Sequence, residues 1–209
     1  MVSGKTVDAL LPPLVFVLVN SVGGLETAAV SAVIFALLIG FLRLLRRQTL
    51  SYAFGGLIMV ILAAALAFLT RDAANYFIPA IAGSALLLAA ALGSLLAGKP
   101  LAAWASHLTR GWPLDWFWRS DIKPAYVEVT WFWALILLGR LAIQVLLYLE
   151  GDAARLAWAN VLLGWPVTIP ILILTYIYGL WRLRRLGGPG VEEYRAGQEP
   201  PWQGQTRGF

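Results

Sequence analysis

Arg140 is the residue of this sequence whose type and position point most directly to chemistry. It lies near the middle of a mostly apolar stretch, residues 125–149, which is long enough to cross a bilayer core of ~30 Å as a helix. Gln144 follows one helical turn later, and Thr130 and Tyr148 extend the same face. A charge at this depth costs at least ~2.5 kcal/mol on insertion scales, and it therefore faces protein or water and has a partner.

Three further polar residues are predicted to join Arg140 and Gln144 in one intramembrane cluster. A turn is predicted at residues 150–152, between the last two apolar runs. Asn160 lies about as far beyond this turn as Gln144 lies before it, so both are expected at similar depth. Glu26 falls in the first turn of an earlier helix, where the helix dipole favours a carboxylate, and Asn20 ends the short apolar run before it. The cluster is either a binding site or relay for an anionic headgroup or solute, or a network that only fixes helix register.

Other chemistries have little raw material in this sequence. It contains no cysteine and a single histidine, His107. Disulfides, thiol catalysis and thiolate metal sites are therefore excluded, and a haem or zinc site lacks its usual ligand cluster. No Ser/His/Asp set and no acidic pair is present. We expect no catalytic residue, no metal and no cofactor, and a protein that is not an enzyme.

The composition predicts an all-α, polytopic integral membrane protein. The chain has 209 residues, of which 60% are hydrophobic and 13% charged, with a mean hydropathy of +0.75. Soluble domains are about 25% charged. The apolar residues also form long runs, without the alternation of a membrane β-barrel. A helical bundle is the class that remains.

Turn residues and charges divide the apolar sequence into about six predicted transmembrane helices. Residues 1–186 are expected to form a single transmembrane bundle domain, and residues 187–209, which begin with Gly-Gly-Pro-Gly, a disordered cytoplasmic tail. The predicted spans are 10–24, 25–45, 51–69, 76–97, 125–149 and 154–181.

Small residues recur every four positions in the fourth predicted span, at Ala85, Ala89, Gly93 and Ala97. Small side chains at this spacing let helix backbones approach closely within a membrane. The row predicts either packing inside the bundle or the seam of a homodimer, and the sequence leaves both open.

The longest connection, residues 99–124, is predicted to lie at the level of the lipid headgroups. One short interfacial helix is expected at Leu101–Leu108, followed by a tryptophan-rich turn. Tryptophan beside positive charge is typical of such segments, and anionic lipids are the partners that this charge favours. Glu128 is expected to pair with Lys123 or Arg119. The predicted anchoring residues are Trp104, Trp112, Trp116, Trp118, Arg110, Arg119 and Lys123.

Positive charge also predicts the orientation of the chain. If the N-terminus is inside, only Arg71 and Arg155 fall on the outer side, and Arg140 lies within the membrane. We therefore expect both termini in the cytoplasm. The net charge of +5 is explained by this bias and does not point to nucleic acid.

Several short motifs resemble a bacterial membrane family. These are the opening LLPPLVFVLVN, the arginine cluster after the second span, the KPL at residues 99–101 and the aromatic fifth span, in this order. Together they resemble the intracellular septation protein A type and its uncharacterised actinobacterial-like relatives, and the VNSVGGLE stretch is closer to the latter. The resemblance covers roughly residues 10–181.

The resemblance implies a multi-pass protein of the bacterial cytoplasmic (inner) membrane that is linked to cell-envelope synthesis and division. It implies no catalytic residues. We expect such a protein to act through lipids, membrane-protein partners or a second copy of itself. The alternative from the residues is a small carrier or channel for an ion or anionic solute that uses the cluster around Arg140.

Overall fold

The computed structural model describes the backbone of residues 4–45, 50–206 and 208–209, and every regular element in these ranges is a helix. The all-α prediction is thereby confirmed for the described chain. A short 3-10 helix covers Ala73–Phe77. The α-helices are α1 Gly4–Leu45, α2 Leu50–Thr70, α3 Ile78–Leu96, α4 Leu101–Arg110, α5 Leu114–Phe117, α6 Lys123–Leu149, α7 Ala153–Leu162, α8 Trp165–Leu186 and α9 Val191–Arg195.

Four helical segments of the described chain are long and apolar enough to cross a membrane, whereas the sequence predicted six. They are Leu11–Leu42, Ala73–Leu96, Lys123–Leu149 and Ala153–Leu186. The difference has two sources. The predicted first and second spans fall within the single apolar segment Leu11–Leu42, which is interrupted at Gly24. Of the predicted third span, the part whose side chains the structure describes is the shorter apolar helix Gly56–Thr70.

Gly24 breaks α1 into two helices. Its φ of 77° and ψ of 173° lie far outside the helical region, in a conformation that only glycine adopts readily. Phe16 before the break and Ala32 after it belong to the same buried cluster, which also contains Ala64 of α2. The boundary predicted between the first two spans, after the pair Gly23-Gly24, therefore coincides with a real change in backbone conformation, although α1 is helical on both sides of it.

The chain forms two compact units, whereas the sequence predicted one domain over 1–186. The first comprises the described residues of Met1–Gly83 and Leu141–Pro166. Its core consists mainly of alanines from α1 and α2, with Phe16, Tyr76 and Leu156. Small side chains allow these helices to pack closely.

The second unit comprises Ser84–Arg140 and the described residues of Val167–Phe209. Its core is aromatic, and its largest buried side chains are Trp116, Tyr126 and Phe117. Val191 and Phe209, which follow α8, are buried in the same core.

Residues 187–209 were predicted to be a disordered tail, whereas the described residues 187–206, 208 and 209 include a helix and two buried side chains of this core. Gly187, with a φ of 67°, ends α8, and α9 follows at Val191–Arg195. A Cβ atom at Gly188 would lie 2.8 Å from the Ile122 Cδ1 atom, so this glycine permits close packing. The glycines that suggested flexibility therefore serve a turn and a close approach.

The small-residue row of α3 lies away from its buried face. Ala89, Gly93 and Ala97 are exposed and Ala85 is half-buried, and a Cβ atom at Gly93 would meet nothing within 4 Å. Within the described chain this row is not the packing face of α3, and the homodimer seam stays a prediction. The buried residues of α3 are Ser84, Leu88 and Ala91.

Candidate functional site

The second unit ends in a folded region that we call the cap, which consists of residues 101–122 together with 187–206, 208 and 209. Trp116 is at its centre and is 0% exposed. The indole Nε1 donates a hydrogen bond of 2.9 Å to the carbonyl oxygen of Pro189. Trp116 is therefore a core residue of the cap and not a lipid anchor as predicted, because its polar atom finds a partner inside the protein.

Phe209 closes the aromatic core of the cap. Its ring stacks on Tyr126 of α6, with 4.3 Å between centroids and 11° between planes. On the α8 side it lies so close to Gly179 that a Cβ atom there would clash with the ring. Residues from both sequence segments of the second unit thus meet at Phe209.

Glu193 holds the last segment of the cap together. Its Oε2 accepts hydrogen bonds from the backbone N–H groups of Gly190 at 2.7 Å and Gly204 at 3.1 Å, and its Oε1 accepts one from Gln203 at 2.6 Å. The N–H groups of Gly190 and Gln203 lower the pKa of this carboxyl, because they stabilise its charged form. Gln205 adds a bond from the Val191 N–H to its own Oε1, of 3.1 Å.

Arg119, one of the predicted anchoring cations, is paired inside the cap. Its Nε and Nη2 donate to the two carboxylate oxygens of Asp121, at 2.9 and 2.7 Å. The hydrogen bond to Asp121 raises the pKa of Arg119. The guanidinium also lies 5.8 Å from the ring of Tyr194 and 5.3 Å from that of Trp202. Asp121 therefore balances the charge of Arg119.

The remaining predicted anchors form a half-exposed rim around the buried core. Arg110 lies with its guanidinium carbon 4.7 Å from the ring centre of Trp112 and 5.8 Å from that of Tyr176. The carbonyl of Trp112 is 2.6 Å from His107 Nδ1. We call these half-exposed side chains the rim, and its members are Trp104, Trp112, Trp118, Arg110 and Lys123.

Glu128 of α6 pairs with Arg182 of α8, whereas the sequence predicted Lys123 or Arg119 as its partner. Arg182 Nη2 donates to Glu128 Oε1 at 2.8 Å, and Arg182 Nε donates to Oε2 at 2.8 Å. The hydroxyl of Tyr178 donates to the same Oε2 at 2.7 Å. Arg119 is engaged by Asp121, and α8 supplies a cation one turn beyond Tyr178.

The structure shows one contact of the predicted intramembrane cluster. Gln144 is fully buried in the first unit, and its Nε2 donates a 2.7 Å hydrogen bond to Asn160 Oδ1. Asn20 is half-buried and Glu26 is exposed, both in the first unit, while Arg140 is a half-buried residue of the second. The structure thus brings Gln144 and Asn160 together, and the pairing of Arg140 with Glu26 stays a prediction.

A second polar chain in the first unit was not foreseen. The hydroxyl of Tyr148 donates to Asn75 Oδ1 at 2.5 Å, and Asn75 Nδ2 donates to Thr70 Oγ1 at 2.7 Å. The side chain of Asp72 caps the intervening 3-10 helix at the N–H of Ala74. Tyr148 lies on the polar face of α6 that also carries Gln144, and this pattern in the sequence could have indicated that Tyr148 has a polar partner.

A cavity of about 260 Å³ lies beside Asn160 in the first unit. Its wall includes Pro13 of α1, Val60 of α2, Tyr76 of the 3-10 helix and Val161 of α7. The ring of Tyr76 stacks on Phe16, with centroids 4.0 Å apart. The wall of this cavity is apolar except for the polar side chains of Tyr76 and Asn160.

These features define an α-helical protein with four candidate membrane spans, in whose described residues no group of three or more potential metal ligands occurs. The chain belongs to the family described as Protein of unknown function (DUF3159), whose model matches residues 2–184. No curated protein and no solved structure matches the chain. The match ends before the last segment of the cap, and the relationship to the septation protein stays a prediction.

Proposed function

We propose that this protein is a non-enzymatic, multi-pass protein of the bacterial cytoplasmic membrane that acts through lipid and protein partners, with the cap as its cytoplasmic surface for anionic lipid. The observation that carries the proposal is the rim: tryptophans and two cations stand half-exposed around a rigid aromatic core. Amphipathic rings and cations in this combination suit the headgroup level of a membrane.

The pairing of the neighbouring charges supports the choice of the rim. Arg119 and Arg182 are satisfied by Asp121 and Glu128 within the second unit. The guanidinium of Arg110 instead lies against the rings of Trp112 and Tyr176. Neither ring carries a negative charge that would neutralise it. A cation held rigidly beside Trp112 can bind a lipid phosphate without losing much side-chain entropy.

Lipid binding by the rim can be tested with paired charge variants. We expect Arg110→Gln combined with Lys123→Gln to lower the retention of phosphatidylglycerol roughly thirtyfold at low salt, since each of the two cations near the surface is worth about 1 kcal/mol. Native mass spectrometry from mixed phosphatidylglycerol and phosphatidylcholine vesicles measures the effect. The matched control combines Arg71→Gln with Arg155→Gln, removing equal charge elsewhere. Equal retention in both variants would contradict the proposal.

We further propose six spans with both termini and the cap in the cytoplasm. The break at Gly24 and the apolar helix Gly56–Thr70 support the two additional spans, and the distribution of Lys and Arg supports the orientation. Because the chain has no cysteine, single cysteines can be introduced and labelled from either side. Ser120→Cys and Gln198→Cys should react only from the cytoplasm, and Glu150→Cys only from outside. Labelling of residues 120 and 150 from one side would exclude this topology.

The link to envelope synthesis and division rests on the sequence resemblance and calls for a separate test. Cross-linking in cells followed by co-purification should recover membrane proteins of envelope synthesis or division. The same experiment with Phe209→Ala, which disrupts the cap, tests whether the cap binds these partners. Unchanged recovery would show that they bind elsewhere on the protein.

A carrier or channel is the second candidate, favoured by the fully buried Gln144 and its bond to Asn160. Buried polar side chains within membrane spans often mark a solute path. Reconstituted vesicles should then show an anion or cation flux that Gln144→Leu abolishes. A flux equal to that of empty vesicles would remove this candidate.

A further inference from the structure

The cavity of the first unit has the size and wall chemistry of a small-ligand site. Its volume of about 260 Å³ exceeds the ~150 Å³ in which an engineered apolar cavity holds benzene, and falls just short of the ~300 Å³ at which drug-sized pockets begin. The space therefore suits one ring or one short polar group with its adjoining carbons. A complete lipid does not fit.

The wall restricts the charge of any occupant. Met59, Val60, Phe77 and Val161 are among its apolar members, and none of the residues that line it is ionised at neutral pH. A phosphate or carboxylate would enter without a compensating cation at a high desolvation cost. An uncharged group is the chemistry that this wall favours.

Two polar side chains of the wall offer hydrogen-bond donors. Tyr76 is 4% exposed, and its buried hydroxyl has no hydrogen-bond partner among the residues that the structure describes. Asn160 Nδ2 donates one proton to the carbonyl of Leu156 at 2.8 Å, and an amide nitrogen carries two. Asn160 Oδ1 accepts from Gln144, which fixes the amide with its nitrogen as the donor.

We propose that this cavity binds the carbonyl end of an uncharged lipid, with the hydroxyl of Tyr76 and the Nδ2 of Asn160 as donors to the carbonyl oxygen. The apolar tail continues into the bilayer, since the cavity holds only the polar end. A quinone ring and the ester of a diacylglycerol share this chemistry. This site is separate from the rim in residues and in ligand charge, so each can fail without the other.

The test uses the full chain in detergent with three probes: a decyl-substituted benzoquinone, 1,2-dioctanoylglycerol and decylbenzene, which lacks the carbonyl. We expect one carbonyl probe to bind at one per chain by native mass spectrometry, and decylbenzene to bind at least tenfold more weakly. Binding of the quinone alone identifies a quinone lipid, and binding of the diacylglycerol alone identifies an ester lipid. Equal binding of all three probes, or of none, would overturn the proposal.

Two variants assign the binding to this cavity. Tyr76→Phe keeps the ring that stacks on Phe16 but removes the donor, and it should weaken the carbonyl probe roughly tenfold without lowering the melting temperature. Ala63→Leu fills the space from α2 and should abolish binding. Tyr178→Phe, which removes a hydroxyl from the second unit, is the matched control and should bind normally. Unchanged affinity in both cavity variants would place the probe elsewhere.

Discussion

Phe209 stacks on Tyr126 with their ring planes only 11° from parallel, although 82 residues of sequence separate the two positions. The same ring lies against the bare backbone of Gly179. One aromatic side chain thus joins α6, α8 and the last segment of the cap.

Removal of this ring should loosen the cap. For Phe209→Ala we expect a loss of about 3 kcal/mol, the lower end of the range for a buried phenylalanine, since the ring is 8% exposed. Hydrogen exchange of residues 188–206 and the melting temperature in detergent measure it.

Gly179→Ala should produce part of the same effect, because its Cβ atom displaces the ring. If Phe209 mediates the effect, the double variant will be no worse than Phe209→Ala alone. Strictly additive losses would show that residue 179 acts through another contact.

Docking of the last cap segment should depend on pH through Glu193. Its folded pKa is lowered by the N–H groups of Gly190 and Gln203, so its stabilising contribution is complete above the unfolded pKa of about 4.3. The contribution is lost as the pH falls from there through the folded pKa. Limited proteolysis at pH 7 and pH 4 should therefore cut residues 188–206 faster at the lower pH.

Glu193→Gln should be cut rapidly at both pH values, because a glutamine side chain has no negative charge and only one oxygen to accept the three N–H bonds. Glu199→Gln is the control, since residue 199 is exposed in the same segment. A pH response that survives in Glu193→Gln would assign the titration to another group.

The pair of Glu128 and Arg182 should couple α6 to α8. Both side chains are about one-third exposed, at 33% and 29%, so the coupling free energy is expected to be favourable but small, because solvent screens the pair. A double-mutant cycle with Glu128→Gln and Arg182→Gln, followed by thermal unfolding, measures it.

Tyr178→Phe provides a second arm of that experiment. Its hydroxyl donates to the same carboxylate, and its loss should destabilise the wild type but not Glu128→Gln. A coupling free energy near zero would mean that solvent or lipid headgroups replace the pair without cost.

The sequence predicted the features that depend on local pattern. Long apolar runs predicted helices, the Gly-Gly pair predicted the break at Gly24, and the stripe of α6 contained both Gln144 and Tyr148. These features follow from helical period and from the conformations open to glycine.

Features that depend on distant partners were not predictable in this way. Trp116 and Pro189 are 73 positions apart, and nothing near Trp116 shows that its indole meets a carbonyl rather than a headgroup. The composition of residues 187–209 resembles that of disordered segments, yet Phe209 stacks on the distant Tyr126, and Glu193 binds the backbone N–H of Gln203 ten positions further on. Glu128 likewise pairs with Arg182 and not with Lys123 because of how α8 packs against α6, which the local sequence does not show.

Because Gly179 has no side chain and the Phe209 ring occupies the space beside it, residues at positions 179 and 209 should vary together among relatives. Where a relative carries alanine or anything larger at the position of Gly179, the space for the Phe209 ring is gone. Such a relative should carry a smaller residue at the position of Phe209, or that residue should pack elsewhere. The boundary of the family match at residue 184 falls between these two positions. Within the family, the residue at 179 should therefore report which members carry an aromatic closure of this kind.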